Sequence, residues 1–306
     1  LLRAMGDELR HQLARMGQQS LQALVGRVDL LQQVRMTDTV DSSELLRPPP
    51  PPSDTPAPEP RPGSFRRPLN HLTKLVSDLA MERFGLGLDQ VEFLDEGVRS
   101  TDRAMGTYLA GAMVREYGLG SGHKATIRLT RSVPGNGLCA FNIPGIETLV
   151  HGGAQDGAAK GGVGGLLAVL KERNLSGELV DGSVGKSFAY GAIGGTYIVQ
   201  NRADSRACVR LSGADVVFGA RITEPVRDQE GNIASRSHLK GFAFEYMTGG
   251  RAVVLCDPGP WICSGMTGGV VYQCLYPEFY FNRKAVLRRV AQGASVRLAT
   301  LDDREL

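Results

Sequence analysis

The sequence predicts an all-β fold, a parallel β-helix with about 19 residues per coil, because one short pattern recurs along it. Gly213 follows Gly194 at the same interval at which Gly268 follows Gly249. Each of these glycines precedes a short apolar run such as Thr196-Tyr197-Ile198-Val199. A fixed period with strand-forming residues and a glycine in every copy is typical of a solenoid.

The glycines of the repeat are predicted to form the corners of the coils. These structural corner residues are Gly145, Gly164, Gly194, Gly213, Gly249 and Gly268. Stacked coils lie at the strand spacing of about 4.8 Å, so a Cβ at a tight corner would meet the copies above and below. We therefore expect valine at Gly249 or Gly268 to cost about 1–3 kcal/mol. Valine at Gly231, in a loop predicted over 221–240, should cost little.

The apolar residues after each corner are predicted to stack as the core of the solenoid. In the predicted register, Ile198 lies over Val217 and Val253 lies over Val271. All four side chains are expected to point inward.

Four segments are predicted along the chain. Residues 1–33 carry apolar residues at helical spacing and form an N-terminal helical segment. Residues 34–66 form a linker, since nine of the 16 prolines lie between Pro48 and Pro62 and favour an extended chain. Residues 67–124 form two helices that cover the first coil, where open strand edges would otherwise be exposed. Residues 125–306 contain the coils.

Composition excludes several classes of protein. The net charge is +3 and the basic residues form no long block, so no nucleic-acid partner is expected. No apolar run reaches the roughly 18–20 residues that span a bilayer, and no signal-peptide pattern begins the chain. We expect a cytoplasmic protein without a membrane contact. The five cysteines lack the spacing of a disulfide framework or a zinc or iron–sulfur site.

No catalytic, cofactor-binding or metal-binding residue is predicted in this chain. The segment 180–187 ends in Gly185-Lys186-Ser187, like a phosphate-binding loop, but Val180 stands where that loop needs glycine and no helix is expected afterwards. No Gly-x-Ser-x-Gly elbow is present to anchor a hydrolase triad.

Four segments of the repeat carry a resemblance to a known family. They are Tyr190-Gly191-Ala192-Ile193-Gly194-Gly195, Val209-Arg210-Leu211-Ser212-Gly213-Ala214, Glu245-Tyr246-Met247-Thr248-Gly249-Gly250-Arg251 and Ser264-Gly265-Met266-Thr267-Gly268-Gly269. In content and order they resemble the GXGXG region that closes the large (alpha) chain of glutamate synthase. The resemblance implies that the β-helix is right-handed. Residues 1–33 likewise resemble the C-terminal helical tail of that family's FMN-binding barrel.

The resemblance implies a structural function. In glutamate synthase, glutamine and 2-oxoglutarate give glutamate with reducing equivalents, and FMN and an iron–sulfur cluster are expected in such a parent enzyme rather than in this chain. This chain would be a non-catalytic β-helix scaffold whose partners are the glutamine amidotransferase and FMN-barrel domains of an oligomeric parent. An alternative is a separate scaffold subunit resembling those of N-methylglutamate synthase or formylmethanofuran dehydrogenase.

Overall fold

The computed structural model describes residues 2–35, 37–48 and 70–301, and the side chain of Leu2 is not among the described atoms. The chain divides into two compact units, Leu1–Arg67 and Pro68–Leu306. Most of the linker predicted over 34–66 lies outside the described residues. The division of the chain into a barrel tail, linker, lid and coil domain therefore stays a prediction.

The first unit is helical where it is described. Helix α1 spans Leu2–Arg15, and two short 3₁₀ helices follow at Gln22–Leu24 and Val28–Leu30. The apolar residues that gave helix α1 its periodicity are largely solvent-exposed within the unit, with Met5 55% and Leu9 46% exposed. Such a helix has an apolar surface that is not buried by its own unit.

The second unit contains nine strands and four helices in its described residues. The strands are β1 (Gln90–Glu96), β2 (Lys124–Ser132), β3 (Ile146–Gly152), β4 (Val163–Arg173), β5 (Leu179–Asp181), β6 (Gly194–Val199), β7 (Ser212–Phe218), β8 (Thr248–Val254) and β9 (Gly268–Gln273). The helices are α2 (His71–Gly85), α3 (Thr107–Tyr117), α4 (Ile233–Arg236) and α5 (Arg283–Leu287). A further 3₁₀ turn spans Pro277–Phe279.

The nine strands form one sheet in the order β1-β2-β3-β4-β6-β7-β8-β9, with β5 paired to β4 at the side. Every pair along this order is parallel, and the β4–β5 hairpin is antiparallel. The strands pair at the interval of the sequence repeat. Thr196 pairs with Asp215 and Arg251 pairs with Val270, and each pair is separated by the same interval as Gly194 and Gly213. The two longer repeats contain insertions, namely the β4–β5 hairpin and the segment around helix α4.

The predicted all-β, right-handed parallel β-helix is wrong. Each repeat contributes one strand to a single sheet, and most of its remaining residues form turns joined by isolated bridges such as Ala154 to Val184 and Ala203 to Leu239. Helices are interleaved with the strands, α3 between β1 and β2 and α4 between β7 and β8. The fold class is therefore α/β. A repeat specifies that equivalent segments pair with each other, but it does not specify how many faces of the repeat become strands.

The sheet also begins earlier than predicted. Strand β1 lies within residues 67–124, which were expected to be helical, and it pairs with β2 from Gln90–Lys124 to Glu96–Thr130. Its residues alternate between exposed and partly buried, as a strand with one solvated face requires. The alternation is visible in Gln90-Val91-Glu92-Phe93, although β1 lies outside the repeat. The predicted helices on either side are present as α2 and α3.

The core lies on one face of the sheet. The side chains that point into it are not the ones that were predicted. Ile198 pairs with Val217 as predicted, but both side chains are only partly buried. Their neighbours Tyr197, Val199 and Phe218 are 0% exposed and form the core instead. Val253 pairs with Tyr272 rather than Val271. Because adjacent side chains in a strand point to opposite faces, an error of one residue exchanges core and surface.

Candidate functional site

Six consecutive turns stack beside the sheet, and each has the same unusual backbone. In every turn three residues at alternating positions have positive φ. The triplets are Gly137/Cys139/Phe141, Gly157/Ala159/Gly161, Ser187/Ala189/Gly191, Arg206/Cys208/Arg210, Phe242/Phe244/Tyr246 and Trp261/Cys263/Gly265. The three positions have the spacing of a Gly-x-Gly-x-Gly pattern. Glycine suits such positions, since it adopts positive φ without steric cost. We name the triplet positions first, middle and last.

Backbone hydrogen bonds join each turn to its neighbours. The N–H of the middle residue donates to the preceding turn, for example Ala189 to the Ala158 carbonyl at 2.9 Å and Phe244 to the Ala207 carbonyl at 2.9 Å. The N–H of the last residue donates to the following turn, as when Gly191 donates to the Val209 carbonyl at 2.8 Å. The turns are thus linked in both directions, as the strands are.

The middle positions are filled by small or apolar buried residues instead of glycine. They are Cys139, Ala159, Ala189, Cys208, Phe244 and Cys263, each no more than 5% exposed. These positions were not predicted, because the recurring glycines do not include them. The signal that could have found them is the spacing, since from Ala159 onward these positions repeat at the same intervals as the strands.

The six predicted corner glycines lie at or near the starts of successive strands, away from the turn triplets. A Cβ added at any of Gly145, Gly164, Gly194, Gly213, Gly249 and Gly268 would fall well under 3.0 Å from an atom of a neighbouring segment. At Gly213 and Gly249 that atom is a backbone carbonyl oxygen, of Ile193 and Ser212 respectively. Real Cβ atoms do not approach other atoms so closely, so the structure brings these backbones together where no side chain could lie.

The four most buried cysteines are thiols in an apolar environment. Burial raises the pKa of Cys139 and of Cys263 to about 12, and it raises the pKa of Cys208 and Cys256 as well. A thiol is a nucleophile or metal ligand only as the thiolate, which a raised pKa disfavours. In the part of the chain that the structure describes, no group of three His, Cys, Asp or Glu side chains could hold a metal ion. The described residues therefore do not fit an iron–sulfur cluster.

Thiol labelling is expected to distinguish Cys274 from the other cysteines. Cys274 is partly exposed, whereas the other four are buried. An aromatic disulfide reagent at pH 8 should modify one thiol of the native chain rapidly and all five only after denaturation. A Cys274→Ser variant is the control and should lose the rapid phase. A second rapid thiol in that variant would contradict the buried positions.

An ion cluster is buried near the end of the second unit. Arg289, which is 0% exposed, lies between Asp257, which follows β8, and Asp228, in the loop before α4. Its guanidinium donates to both Asp257 oxygens at 2.6 Å and to the Asp228 oxygens at 2.9 and 3.0 Å. It also lies 5.0 Å from the ring centroid of Phe281. Arg288 donates to Asp228 from the outer side at 2.5 and 2.8 Å.

The charges of this cluster are mutually stabilising. Burial by itself would lower the pKa of Arg289, but hydrogen bonds to Asp257 and Asp228 outweigh it and raise that pKa. Burial would likewise raise the pKa of Asp228, but the hydrogen bonds from Arg289 and Arg288 outweigh it and lower that pKa. Both partners therefore stay charged, and the cluster ties the 221–240 segment to helix α5. None of these residues was predicted from the sequence.

Acid should weaken the cluster as it protonates Asp228 in the folded state. Because the folded-state pKa of Asp228 is lowered, its contribution is complete above the unfolded-state pKa of about 3.9 and is lost as pH falls through the folded-state value. An Asp228→Asn variant should be less stable than the parent chain at pH 7, and the difference should shrink below pH ~4. Urea unfolding at several pH values measures this. A difference that is constant with pH would contradict the ion pairing.

None of the helices in the described residues has an apolar stretch of the length that a bilayer span requires.

Comparison with known proteins places most of the second unit in one family profile. The profile of the family described as "GXGXG motif" matches residues 88–294. The chain is 34% identical over 260 residues to the "Glutamate synthase [NADPH] large chain" of Azospirillum brasilense, covering 82% of this chain and 16% of that protein. It is 27% identical over 288 residues to "Ferredoxin-dependent glutamate synthase 2" of Synechocystis sp., covering 87% of this chain and 16% of that protein.

A third relative is the "Glutamate synthase [NADPH] large chain" of Bacillus subtilis, 26% identical over 299 residues, or 93% of this chain and 18% of that protein. The chain therefore spans less than a fifth of the length of these curated relatives. The resemblance that the sequence motifs carried is confirmed, because the relatives are glutamate synthase large chains matched over this region.

Proposed function

Because the chain belongs to the GXGXG motif family, we propose that it is the non-catalytic scaffold region of a glutamate synthase-like enzyme. The parent reaction would convert glutamine and 2-oxoglutarate to glutamate with reducing equivalents. The observation that carries the proposal is the family match over 88–294, together with relatives that are glutamate synthases. The role of this region would be to hold the amidotransferase and FMN synthase domains at a fixed separation.

The architecture of the second unit supports a spacer role. Strands and turns are hydrogen-bonded from one repeat to the next over the whole series, so a displacement of one repeat must displace its neighbours. The six corner glycines would contribute to this rigidity. Because they have no Cβ, the backbones of adjacent repeats can pack against each other at these positions. A stiff element of this kind suits the separation of two reaction centres.

The cofactors of the parent enzyme would be bound outside this chain. Four of the five cysteines are buried and Cys274 is partly exposed, and no metal-binding group of side chains occurs among the described residues. FMN and an iron–sulfur cluster would supply the redox chemistry in the neighbouring domains, and residues 1–33 would close the FMN barrel as its C-terminal tail. No step of that chemistry is assigned to residues of this chain.

The proposal is tested by uncoupling the two half-reactions of the parent enzyme. Met247 is 0% exposed, and its Cε lies 2.5 Å from where a Cβ at Gly269 would be, so it packs against the next repeat. Met247→Ala should loosen that packing, at a local cost of about 2–5 kcal/mol. Glutamine hydrolysed per 2-oxoglutarate converted should then rise, while the ammonia-dependent rate is kept. Met266, which is only partly buried, is the milder variant for comparison.

Two outcomes would contradict the scaffold role. One is a hydrolysis ratio that stays at the wild-type value while the ammonia-dependent rate collapses, because the region would then serve the flavin site directly. The other is an isolated chain with a flavin spectrum or stoichiometric iron after purification. A matched control is Leu175→Ala at the fully exposed tip of the β4–β5 hairpin, which should change neither rate.

A further inference from the structure

The stacked turns present large side chains to solvent at one end of the series. Phe242, Tyr246 and Trp261 are 39%, 55% and 50% exposed. The rings of Phe242 and Trp261 stack at 5.0 Å between centroids with 20° between their planes. Arg206 and Arg210 of the preceding turn are also exposed, and the Arg210 guanidinium lies 5.9 Å from the Tyr246 ring centroid. We name these five residues the turn edge.

The backbone conformation at the turn edge favours glycine over the five residues that are present. All five residues have positive φ, from 52° at Tyr246 to 67° at Arg206, where bulky side chains are rare. Of the other seven first and last positions, five hold glycine, at Gly137, Gly157, Gly161, Gly191 and Gly265, and two hold Phe141 and Ser187. The stack thus accepts glycine at these positions, and the exposed side chains are not part of its core. Strained residues that the core does not require are frequently functional.

The chemistry of the turn edge is that of a protein-binding surface. Tryptophan, tyrosine and arginine are the residues most enriched among those that dominate binding energy in protein interfaces. Among the described residues, neither Arg206 nor Arg210 has an ion-pair partner. Two such guanidinium groups beside three aromatic rings complement a surface that has carboxylates around an apolar centre.

We propose that the turn edge binds an acidic surface of another domain of the parent enzyme. This inference rests on the proposed function, since that function supplies neighbouring domains held by this region. The aromatic rings would be covered by apolar side chains of the partner, and each guanidinium would pair with a carboxylate at the rim. The rest of the stacked turns would set the position of the edge.

Cysteine labelling tests whether the edge is covered. In a Cys274→Ser background, the Tyr246→Cys thiol should react with a maleimide about tenfold more slowly in the assembled enzyme than in the separate chain, because an interface core excludes solvent. Leu175→Cys, at the exposed hairpin tip, is the matched control and should react at nearly the same rate in both. Equal rates for Tyr246→Cys in the two forms would overturn the proposal.

Charge reversal tests the acidic character of the partner. Arg206→Glu with Arg210→Glu should restore rapid labelling of Tyr246→Cys in the enzyme, whereas Arg115→Glu on the exposed side of helix α3 should not. If the double variant leaves the thiol protected, the covering surface is not held by these charges and the proposal of an acidic partner fails.

A stability measurement separates binding from folding. Trp261 has a positive φ, which glycine adopts without strain. The thermal midpoint of the separate chain should therefore be unchanged or raised in Trp261→Gly. A marked fall would assign the stacked rings to the fold and overturn the proposal. Failure of the proposed function is a separate outcome. It would be seen if the natural protein or complex that contains this region had neither an amidotransferase domain nor a flavin domain. An active enzyme in which the Tyr246→Cys thiol is labelled as fast as in the separate chain would contradict this inference and leave the proposed function standing.

Discussion

Replacing Arg289 with Met is expected to destabilise the folded chain by about 3–5 kcal/mol. The substitution leaves the carboxylates of Asp257 and Asp228 near the protein interior without the guanidinium that donates to both. A buried carboxylate without a partner is far less favourable than one in water. Urea unfolding at pH 7 measures the change, and helix α5 should exchange its amide protons faster than in the parent chain.

The control for this variant is an ion pair of the same geometry on the surface. Arg251 donates to both oxygens of Asp215 at 2.7 Å, but its side chain is 66% exposed. Arg251→Met should leave the urea midpoint nearly unchanged, because solvent screens an exposed pair. A triple variant, Arg289→Met with Asp228→Asn and Asp257→Asn, should recover part of the loss. If Arg289→Met is as mild as Arg251→Met, the buried cluster contributes nothing of this size.

Adding one methyl group at Gly249 is expected to cost about 1–3 kcal/mol, although alanine is otherwise a small change. Its Cβ would lie 2.6 Å from the Ser212 carbonyl oxygen and 3.1 Å from the Ser212 carbonyl carbon. Ser212 and Gly249 are partners in the β7–β8 ladder, so relief requires the two strands to separate. The free energy of unfolding of Gly249→Ala measures the cost.

The matched control is a glycine in open space with an ordinary backbone. Gly111 in helix α3 has no atom within 4 Å of its ideal Cβ, and Gly111→Ala should stabilise the chain by about 0.5–1 kcal/mol through helix propensity. The sequence suggested Gly231 as the control. That choice is unsuitable, because Gly231 has open space but a positive φ, at which any side chain is strained. Gly249→Ala would contradict the close approach if it were as stable as Gly111→Ala.

The repeat in the sequence predicted the pairing of the strands. The interval from Gly194 to Gly213 equals that from Gly249 to Gly268, and strands β6–β7 and β8–β9 pair parallel at this offset along most of their length. The longer intervals of the repeat contain insertions, since the β4–β5 hairpin and the α4 segment occupy them. Periodicity is reliable for this purpose because in-register parallel strands require equivalent residues at a constant offset.

Other features of the sheet were not predicted by the repeat. The inward face contains Tyr197 and Val216 rather than Ile198 and Val217. The polar residues Thr196, Asp215 and Arg251 lie on the outward face, because alternate residues of a strand point to the same side of the sheet. The alternation within each strand marks this face, but the repeat of the glycines does not. Strand β1 and the interleaved helices α3 and α4, which make the fold α/β, lie outside the period, so the repeat does not predict them.

The sequence by itself determined the family, the repeat and the pairing of the repeat strands, because these follow from residue identity at regular intervals. The tertiary structure decided the turn triplets and the Arg289 cluster. Positive φ at Cys208 or Phe244 is imposed by hydrogen bonds to the preceding turn and by burial, and neither residue type favours it. Asp228, Asp257 and Arg289 lie far apart along the chain, and only folding brings their opposite charges together away from solvent.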